Sequence, residues 1–557
     1  TLAHRIAHQI GAGGAVPESC LAITFTRRAA GEMRERLATL APHQAARITV
    51  TTFHGLGLLI LRDHHEQAGL TGGFRIADDA ARLAVATELA GTQRDGRRLL
   101  ADAAADPVRR AAFVKALLAR DQVDFDGLIE LPVALLRDEP ALAGRLRSRW
   151  PLISVDEYQD IDATQYELLR VLAGDGAGLT AIGDPDQAIY GFRGADVGFF
   201  LRFADDFAGA TTLQLTRNYR ASAAIVTAAL QAITPATLVP GRTLQAVRPR
   251  GAPVTFHEAA DEHAEAGWIA AAIDRLLGGS SFHSLDSGRS DGYGQDGIDL
   301  SEVAILYRTD AQAGPLGQAL ARAGLPFQKS SHDLLERRAG VAEIVREMRL
   351  ASGDGDGRLG TGESAETGPT VAGRLRAAVR RLAATVSADG TGGQAGRAGG
   401  RARAIDVRSA GEVLAPLARR CGHDLDRFRT EVSLGAVADA MDPRAAAINL
   451  LTLHAAKGLE FSAVFLAGCE KDLLPLWLPG SAPASGQELA EERRLLFVGM
   501  TRARALLFLT CAARRARHGS TTAAGPSPFL TAIDPALLDR QTPPRPGRPA
   551  GQQLRLL

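Results

Sequence analysis

Leu152-Ile153-Ser154-Val155-Asp156-Glu157-Tyr158-Gln159-Asp160 is the stretch from which the fold of this chain is read. Its apolar run predicts a buried strand over 151–157, closed by an acidic pair. On such a strand the first carboxylate, Asp156, can hold Mg²⁺ beside nucleotide phosphates. The second, Glu157, can then orient and deprotonate a water. Taken alone the pair leaves two readings open, this one and a solvated acidic strand end.

Outward from that strand, short β-rich runs alternate with helical ones. Strands are predicted at 20–26, 47–53, 178–184 and 212–216, and a helix at 28–40 with Ala30, Met33, Leu37 and Leu40 on one face. The stretch between the strands at 47–53 and 151–157 is mostly helical and too long for an ordinary connection, so it reads as an inserted subdomain. The pattern repeats with strands at 252–258, 302–308, 446–453, 462–468 and 505–511, again interrupted. The expected organisation is α/β: a first parallel-sheet core at 1–60 and 135–215 with a helical insertion at 61–134, then a second core at 216–330 and 446–512 with an insertion at 331–445. Within the second insertion, six glycines between 353 and 368 with hardly any apolar side chains predict a segment without fixed structure. Residues 371–386 carry Val371, Leu375, Val379, Leu382 and Val386 on one face and four arginines elsewhere, a solvated helix or a contact for a DNA backbone. Residues 280–299 read as a turn-rich loop. From 513 onward, seven arginines and seven prolines against two aspartates predict a disordered tail.

The 557 residues suit three to four domains at roughly 150 residues each. Lys+Arg is 64 against Asp+Glu 63, so any nucleic-acid contact must come from a local basic surface rather than from global charge. Only Lys115, Lys329, Lys457 and Lys471 are lysines. Cys20, Cys421, Cys469 and Cys511 form no CxxC pair, which argues against a zinc ribbon, a cysteine-held cluster and a disulfide scaffold. No apolar run reaches about 18 residues, so no membrane span is expected. A soluble, cytoplasmic setting is the default expectation.

Further runs carry chemistry. Gly183-Asp184-Pro185-Asp186-Gln187-Ala188-Ile189-Tyr190-Gly191-Phe192-Arg193-Gly194 comes directly after a strand. Its Gln187 can report on a γ-phosphate, while Tyr190, Phe192 and Arg193 offer the rings and cation on which single-stranded bases stack without sequence preference. In Asn218-Tyr219-Arg220 the ring can stack on adenine and the cation can neutralise phosphate charge. His454-Ala455-Ala456-Lys457-Gly458-Leu459-Glu460-Phe461 and Glu491-Glu492-Arg493-Arg494-Leu495 through Thr501-Arg502-Ala503 complete the set.

With residues 21–36 (LAITFTRRAAGEMRER) and Thr51-Thr52-Phe53-His54, these seven ordered motifs resemble those of the UvrD/Rep-like helicases of superfamily 1, from residue 1 to about 512. The resemblance implies two RecA-like cores with ATP between them. It implies Mg²⁺ on Asp156, Glu157 as catalytic base, Gln187 sensing the γ-phosphate, and Arg220 and Arg502 as arginine fingers. Tyr219 would stack on adenine and Glu460 meet the ribose. Phe25, Thr52, Phe53, His54, Tyr190, Phe192 and Arg193 would line a single-strand track, with His454, Lys457 and Gly458 coupling the two events. The implied partners are single-stranded DNA and single/double-strand junctions, and the implied movement is 3′ to 5′.

One departure stands out. No G-x-x-x-x-G-K-[ST] run occurs, and Thr1-Leu2-Ala3-His4-Arg5-Ile6 resembles the family's helix on the far side of that loop. The expectation is that the chain starts just past the phosphate loop and hydrolyses ATP little by itself. Two alternatives keep part of the reading: the motor of a helicase–nuclease, or a catalytically dead DNA-binding scaffold. Against the first, no nuclease-like carboxylate cluster occurs beyond residue 512. Against the second stand Asp156, Glu157, Gln187, Arg220 and Arg502, which a scaffold would not need.

Overall fold

Both halves of the chain are built on parallel sheets. A computed structural model of the protein describes residues 1–102, 106–278, 298–330, 335, 338–350, 370–388, 394–434, 445–477, 485–517 and 520–541. The segment 353–368 and nearly all of 280–299 lie outside the described residues. The chain divides into two units: Thr1–Asp184, Tyr190–Thr211 and His332–Asp442 form the first, and Pro185–Ile189, Thr212–Ser331 and Pro443–Leu557 the second.

In the first unit, β1 (Cys20–Thr24), β2 (Thr49–Thr52), β5 (Leu152–Val155) and β6 (Leu179–Ala181) form one sheet in the order β2-β1-β5-β6, every pair parallel. The short pair β3 (Arg75–Ile76) and β4 (Gln122–Val123) stands apart, among the helices of the expected insertion. Strand β1 is buried on both faces, as a central parallel strand must be. Helix α1 (Leu2–Gly11) buries Leu2, Ala3, Ile6 and Ile10. Helix α2 (Arg27–Leu40) adds Ala30, Met33 and Leu37 to the same cluster, while Leu40, expected on that face, is exposed. Thr26 caps α2 by accepting the Ala29 N–H at 3.1 Å. Helix α3 (Phe53–Asp63) begins directly at the end of β2 and lies in a second cluster with Leu21, Ile23, Ile153 and Trp150.

The helices Val341–Leu350, Val371–Ala388, Gln394–Arg420 and Leu425–Leu434 come from the expected second insertion, yet they belong to the first unit. Their own core includes Val371, Leu375, Ala378, Val407, Leu414 and Phe428, with Val379 and Leu382 packed at its margin, so these four residues of the expected apolar stripe, Val371, Leu375, Val379 and Leu382, face the bundle's core.

In the second unit, β7 (Arg217–Asn218) and β8 (Gln245–Ala246) make a small parallel pair. The main sheet holds β9 (Val254–Ala259), β10 (Val303–Tyr307), β11 (Phe327–Ser330), β12 (Ile448–Thr452), β13 (Phe461–Leu466), β14 (Ala503–Ala512) and β17 (Leu538–Gln541). Its order is β11-β12-β10-β13-β14-β9-β17, all parallel. β15 (Arg514–Arg517) and β16 (Ser520–Ala523) form an antiparallel hairpin.

Two expectations need correcting. Residues 212–216 form no strand; the ladder starts only at Arg217, and Leu213 and Leu215 stand exposed, so the apolar alternation there was not a sign of burial. The expected disordered tail is instead structured over Arg514–Arg517 and 520–541, while 518–519 and 542–557 lie outside the described residues. Its composition misled because the arginines are used internally. Arg515 is buried between Glu265 and Glu470. It donates to both carboxylates, with Nε on Glu470 Oε1 at 2.6 Å. Glu265 also accepts the Gly468 N–H at 2.9 Å and the Thr510 hydroxyl at 2.6 Å. Glu470 accepts the Ala512 N–H at 2.9 Å. The hairpin is thereby fastened to the end of β14, and β17 then joins β9.

Removing the cation alone should leave two uncompensated buried carboxylates. Arg515→Ala is expected to destabilise the second unit by about 3–5 kcal/mol, read as a lowered urea midpoint. The triple change Arg515→Met with Glu265→Gln and Glu470→Gln should recover most of that loss.

Candidate active site

A parallel sheet brings the carboxyl ends of its strands to one edge, where ligands of open α/β sheets gather. In the first unit, β1 delivers Phe25 to this edge, β2 delivers Phe53 and His54, β5 delivers Asp156 and Glu157, and β6 delivers Gly183 and Asp184. The Asp156 N–H donates to Ile23 O at 2.9 Å, continuing the ladder one residue past β5. Glu157 then turns into the left-handed region at φ 53°, a conformation that costs a non-glycine residue of order 1–3 kcal/mol.

Gln159 holds that turn. Its fully buried side chain donates from Nε2 to Glu157 Oε2 at 2.5 Å and to Asp160 Oδ2 at 3.3 Å. Its Oε1 accepts the Asp184 N–H at 3.0 Å. One amide therefore ties the acidic strand end to the loop that leaves β6. Gly183 is required beside it, because a Cβ there would collide with Gln159 Oε1 and the Phe200 ring. The Glu157 N–H donates to Asp156 Oδ1 at 3.1 Å, which orients the first carboxylate. Among the described residues no group of three or more His, Cys, Asp or Glu side chains is placed to hold a metal. A half-buried carboxylate at a strand end still suits Mg²⁺, which binds through one or two carboxylates and takes its other ligands from water and phosphate.

The expected aromatic track is partly gathered. Phe25 and Tyr190 stack with centroids 5.1 Å apart, Tyr190 and Phe192 lie at 6.3 Å, and the Arg193 guanidinium sits over Phe192 at 5.6 Å. Phe192 is 65% exposed, whereas Tyr190 is only 3% exposed and serves to prop its neighbours. Phe53 is a correction: it is buried in the hydrophobic cluster beneath the sheet, because the first turn of α3 points it inward. Thr52 caps α3, accepting the Gly55 N–H at 3.2 Å. His54 stacks on Phe125 with centroids 3.8 Å apart. Its burial, and then the nearby Arg27 charge, push its pKa down to about 3.

The second unit collects the remaining residues near the amino ends of β13 and β14. Loop residues Pro185–Ile189 belong to this unit. Lys457 donates to Gln187 O at 2.5 Å, Arg502 to Gln187 Oε1 at 3.1 Å, and Arg494 to Ala188 O at 2.9 Å. Asp186 is fully buried and accepts from Thr237, the Leu238 N–H and Arg242. Arg502 is 2% exposed and also donates to Val498 O, Leu459 O and Thr501. This buried guanidinium differs from the outstretched finger expected of it. Arg220 forms an ion pair with Glu460 at 2.6 Å, and Glu460 lies 3.6 Å from Arg504. The Asn218 side chain accepts the Arg220 and Ala221 N–H groups, both at 2.9 Å, which fixes the turn. Tyr219, 64% exposed, projects from that turn with Arg217 over its ring. Gly458 takes φ 80° in the loop between β12 and β13, and the Lys457 N–H donates to His454 O at 3.3 Å.

Sequence reasoning assigned no role to Gln159, Asn218, Arg494 or Arg504. Each lies inside or beside a quoted motif, so proximity to the acidic pair and to the arginines was the available signal.

Because His54 stays neutral in the fold while an unfolded histidine titrates near pH 6.5, the unfolded chain binds a proton that the folded chain refuses between about pH 6.5 and about 3. Stability should fall as pH is lowered through that window. A His54→Gln variant should show a shallower decline of Tm over the same range.

Residues 1–105 and 105–208 match the UvrD/REP helicase N-terminal domain, and residues 213–356 and 411–514 match the UvrD-like helicase C-terminal domain. The chain is similar to the ATP-dependent DNA helicase PcrA of Leuconostoc citreum, 31% identical over 97% of this chain and 81% of that protein. It is also similar to the ATP-dependent DNA helicase UvrD2 of Mycobacterium tuberculosis, 32% identical over 96% of this chain and 78% of the relative. PcrA of Bacillus subtilis is 28% identical over 97% and 82%.

Proposed function

The chain belongs to the UvrD/REP helicase family, and on that premise we propose that it is an ATP-dependent DNA helicase moving 3′ to 5′ on single-stranded DNA. The observation that carries the reading is the acidic end of β5, where Asp156 and Glu157 leave the sheet together and Gln159 holds the second carboxylate in place.

In this reading Asp156 holds Mg²⁺, which supplies charge neutralisation at phosphate oxygens when bound. Glu157 accepts the proton of the attacking water at a carboxylate oxygen. Gln187 senses the γ-phosphate, and its bond to Arg502 makes the two side chains respond together. Arg220 is the second cationic group, held by Glu460 until phosphate competes for it. Tyr219 offers its exposed ring to the adenine and Glu460 meets the ribose. Phe25, Tyr190, Phe192, Arg193, Thr52 and His54 serve the strand, Phe192 by direct stacking and Tyr190 from beneath. His54, being neutral, acts by packing or hydrogen bonding and not by charge. His454, Lys457 and Gly458 couple nucleotide to strand through the Lys457 bond to Gln187. Single/double-strand junctions are the expected substrates.

Hydrolysis in this class of site also needs a ring of backbone N–H groups and a lysine around the phosphates. The 557 residues contain no G-x-x-x-x-G-K-[ST] run, so by themselves they are expected to bind DNA without appreciable turnover.

In a version extended upstream by such a loop, Glu157→Gln should keep ATP and DNA binding and lower DNA-stimulated turnover roughly 10²–10⁴-fold. Parental turnover in that variant would remove Glu157 from the mechanism. Phe192→Ala should weaken binding of a single-stranded oligonucleotide by about 1–3 kcal/mol, measured by anisotropy on the chain as it stands. Unchanged affinity across a salt series would take Phe192 off the track.

A further inference from the structure

Two arginines open α2 with no acidic residue in its first turn. Cations are disfavoured at a helix amino end, so each calls for a partner. Arg28 finds one on its own helix, Glu32, at 2.8 Å and four residues on. Arg27 finds none locally. It pairs with Glu431, on the helix Leu425–Leu434 that comes from a sequence insertion 404 residues away. Both side chains keep part of their surface in solvent, so the pair is accessible to a competing anion.

The position of Arg27 is what makes this pair informative. It lies two residues beyond Phe25, at most about 7 Å of chain, and Phe25 carries the Tyr190–Phe192 stack. It also lies near enough to His54 for its charge to depress that ring's pKa. A strand whose bases stack on Phe192 has a phosphate backbone that must run alongside the rings. The Arg27 guanidinium is a cation close along the chain to that path, in addition to Arg193 over Phe192, and a carboxylate now sits on it.

We propose that Arg27 contacts a backbone phosphate of single-stranded DNA, and that Glu431 occupies the guanidinium as a carboxylate stand-in until a strand displaces it. This rests on the reading of the Phe25–Tyr190–Phe192 stack as the single-strand track. The pair then has two consequences. It sets a threshold for strand binding, since a phosphate must displace the carboxylate, and it ties the helix Leu425–Leu434 to the state of the track.

The test is anisotropy of a labelled oligo-dT from low to moderate salt, on the full chain and on Glu431→Gln, Arg27→Ala, Arg27→Lys and the double variant Arg27→Ala/Glu431→Gln. Glu431→Gln should bind roughly two- to fivefold tighter, the range of a partly exposed ion pair. Its plot of log K against log salt should keep the parental slope, because Arg27 neutralises the same phosphate in both chains once the carboxylate has left. Arg27→Ala should bind more weakly with a shallower slope, and Arg27→Lys should restore the slope. The double variant should match Arg27→Ala. Unchanged affinity in Glu431→Gln would overturn the proposal. So would a double variant that keeps the gain, because the effect would then come from the inserted helices and not from Arg27. If the unaltered chain, folded by circular dichroism, binds no oligonucleotide at any salt, the track reading itself falls and this proposal with it.

Discussion

Parallel pairing is the constraint on which the rest of this structure depends. Strands that all run one way cannot be joined by hairpins, so every connection crosses a face and every carboxyl end arrives at the same edge. In the first unit that geometry brings together segments far apart in sequence: Phe25 after β1, Thr52 and His54 after β2, Asp156 and Glu157 after β5, and Asp184 after β6. Gln159 then converts proximity into a fixed arrangement. Its one amide satisfies a carboxylate and a backbone N–H that burial would otherwise leave costly. The strained φ of Glu157 persists because this bond and the ladder bond of Asp156 over-determine the turn.

The second unit solves a different problem, that of holding buried and half-buried cations in place. Arg220 is held by Glu460, and the buried Arg502 is surrounded by carbonyl oxygens and the Gln187 amide oxygen. A charged group in low dielectric needs such partners, and the partners also fix its direction. Lys457 and Arg494 hold the backbone of Gln187 and Ala188, so the glutamine is positioned from both its main chain and its side chain. Arg515 uses the same principle for architecture, fastening the hairpin after β14 through two buried carboxylates.

Much of the fold was legible because buried parallel strands write themselves as continuous apolar runs. β1, β5, β10, β12 and β13 each lie within two residues, at either end, of the run that predicted them. Where the signal failed, a specific competing term was responsible. Leu213 and Leu215 alternate as a half-buried strand would, yet they face solvent. Alternation states that two faces differ and is silent on which partner covers one of them. The tail was misjudged on its arginines and prolines, because composition counts charges and cannot see that Arg515 has two buried acids waiting for it. Phe53 looked like a track residue by motif and became core because α3 begins at that residue.

What the sequence determined by itself was the set of chemical groups and their order: the acidic pair, the glutamine loop, the aromatic–arginine run, and the strands of the two sheets other than β11 and β17. Those depend on local residue type and periodicity, which are written along the chain. What only the tertiary structure decided was which groups meet. The Gln159 bond to Asp184 spans 25 residues, Gln187 to Arg502 spans 315, and Arg27 to Glu431 spans 404. No spacing rule reaches across such distances. Those pairings are set by the crossover geometry of parallel sheets and by the need of each buried charge to find its opposite.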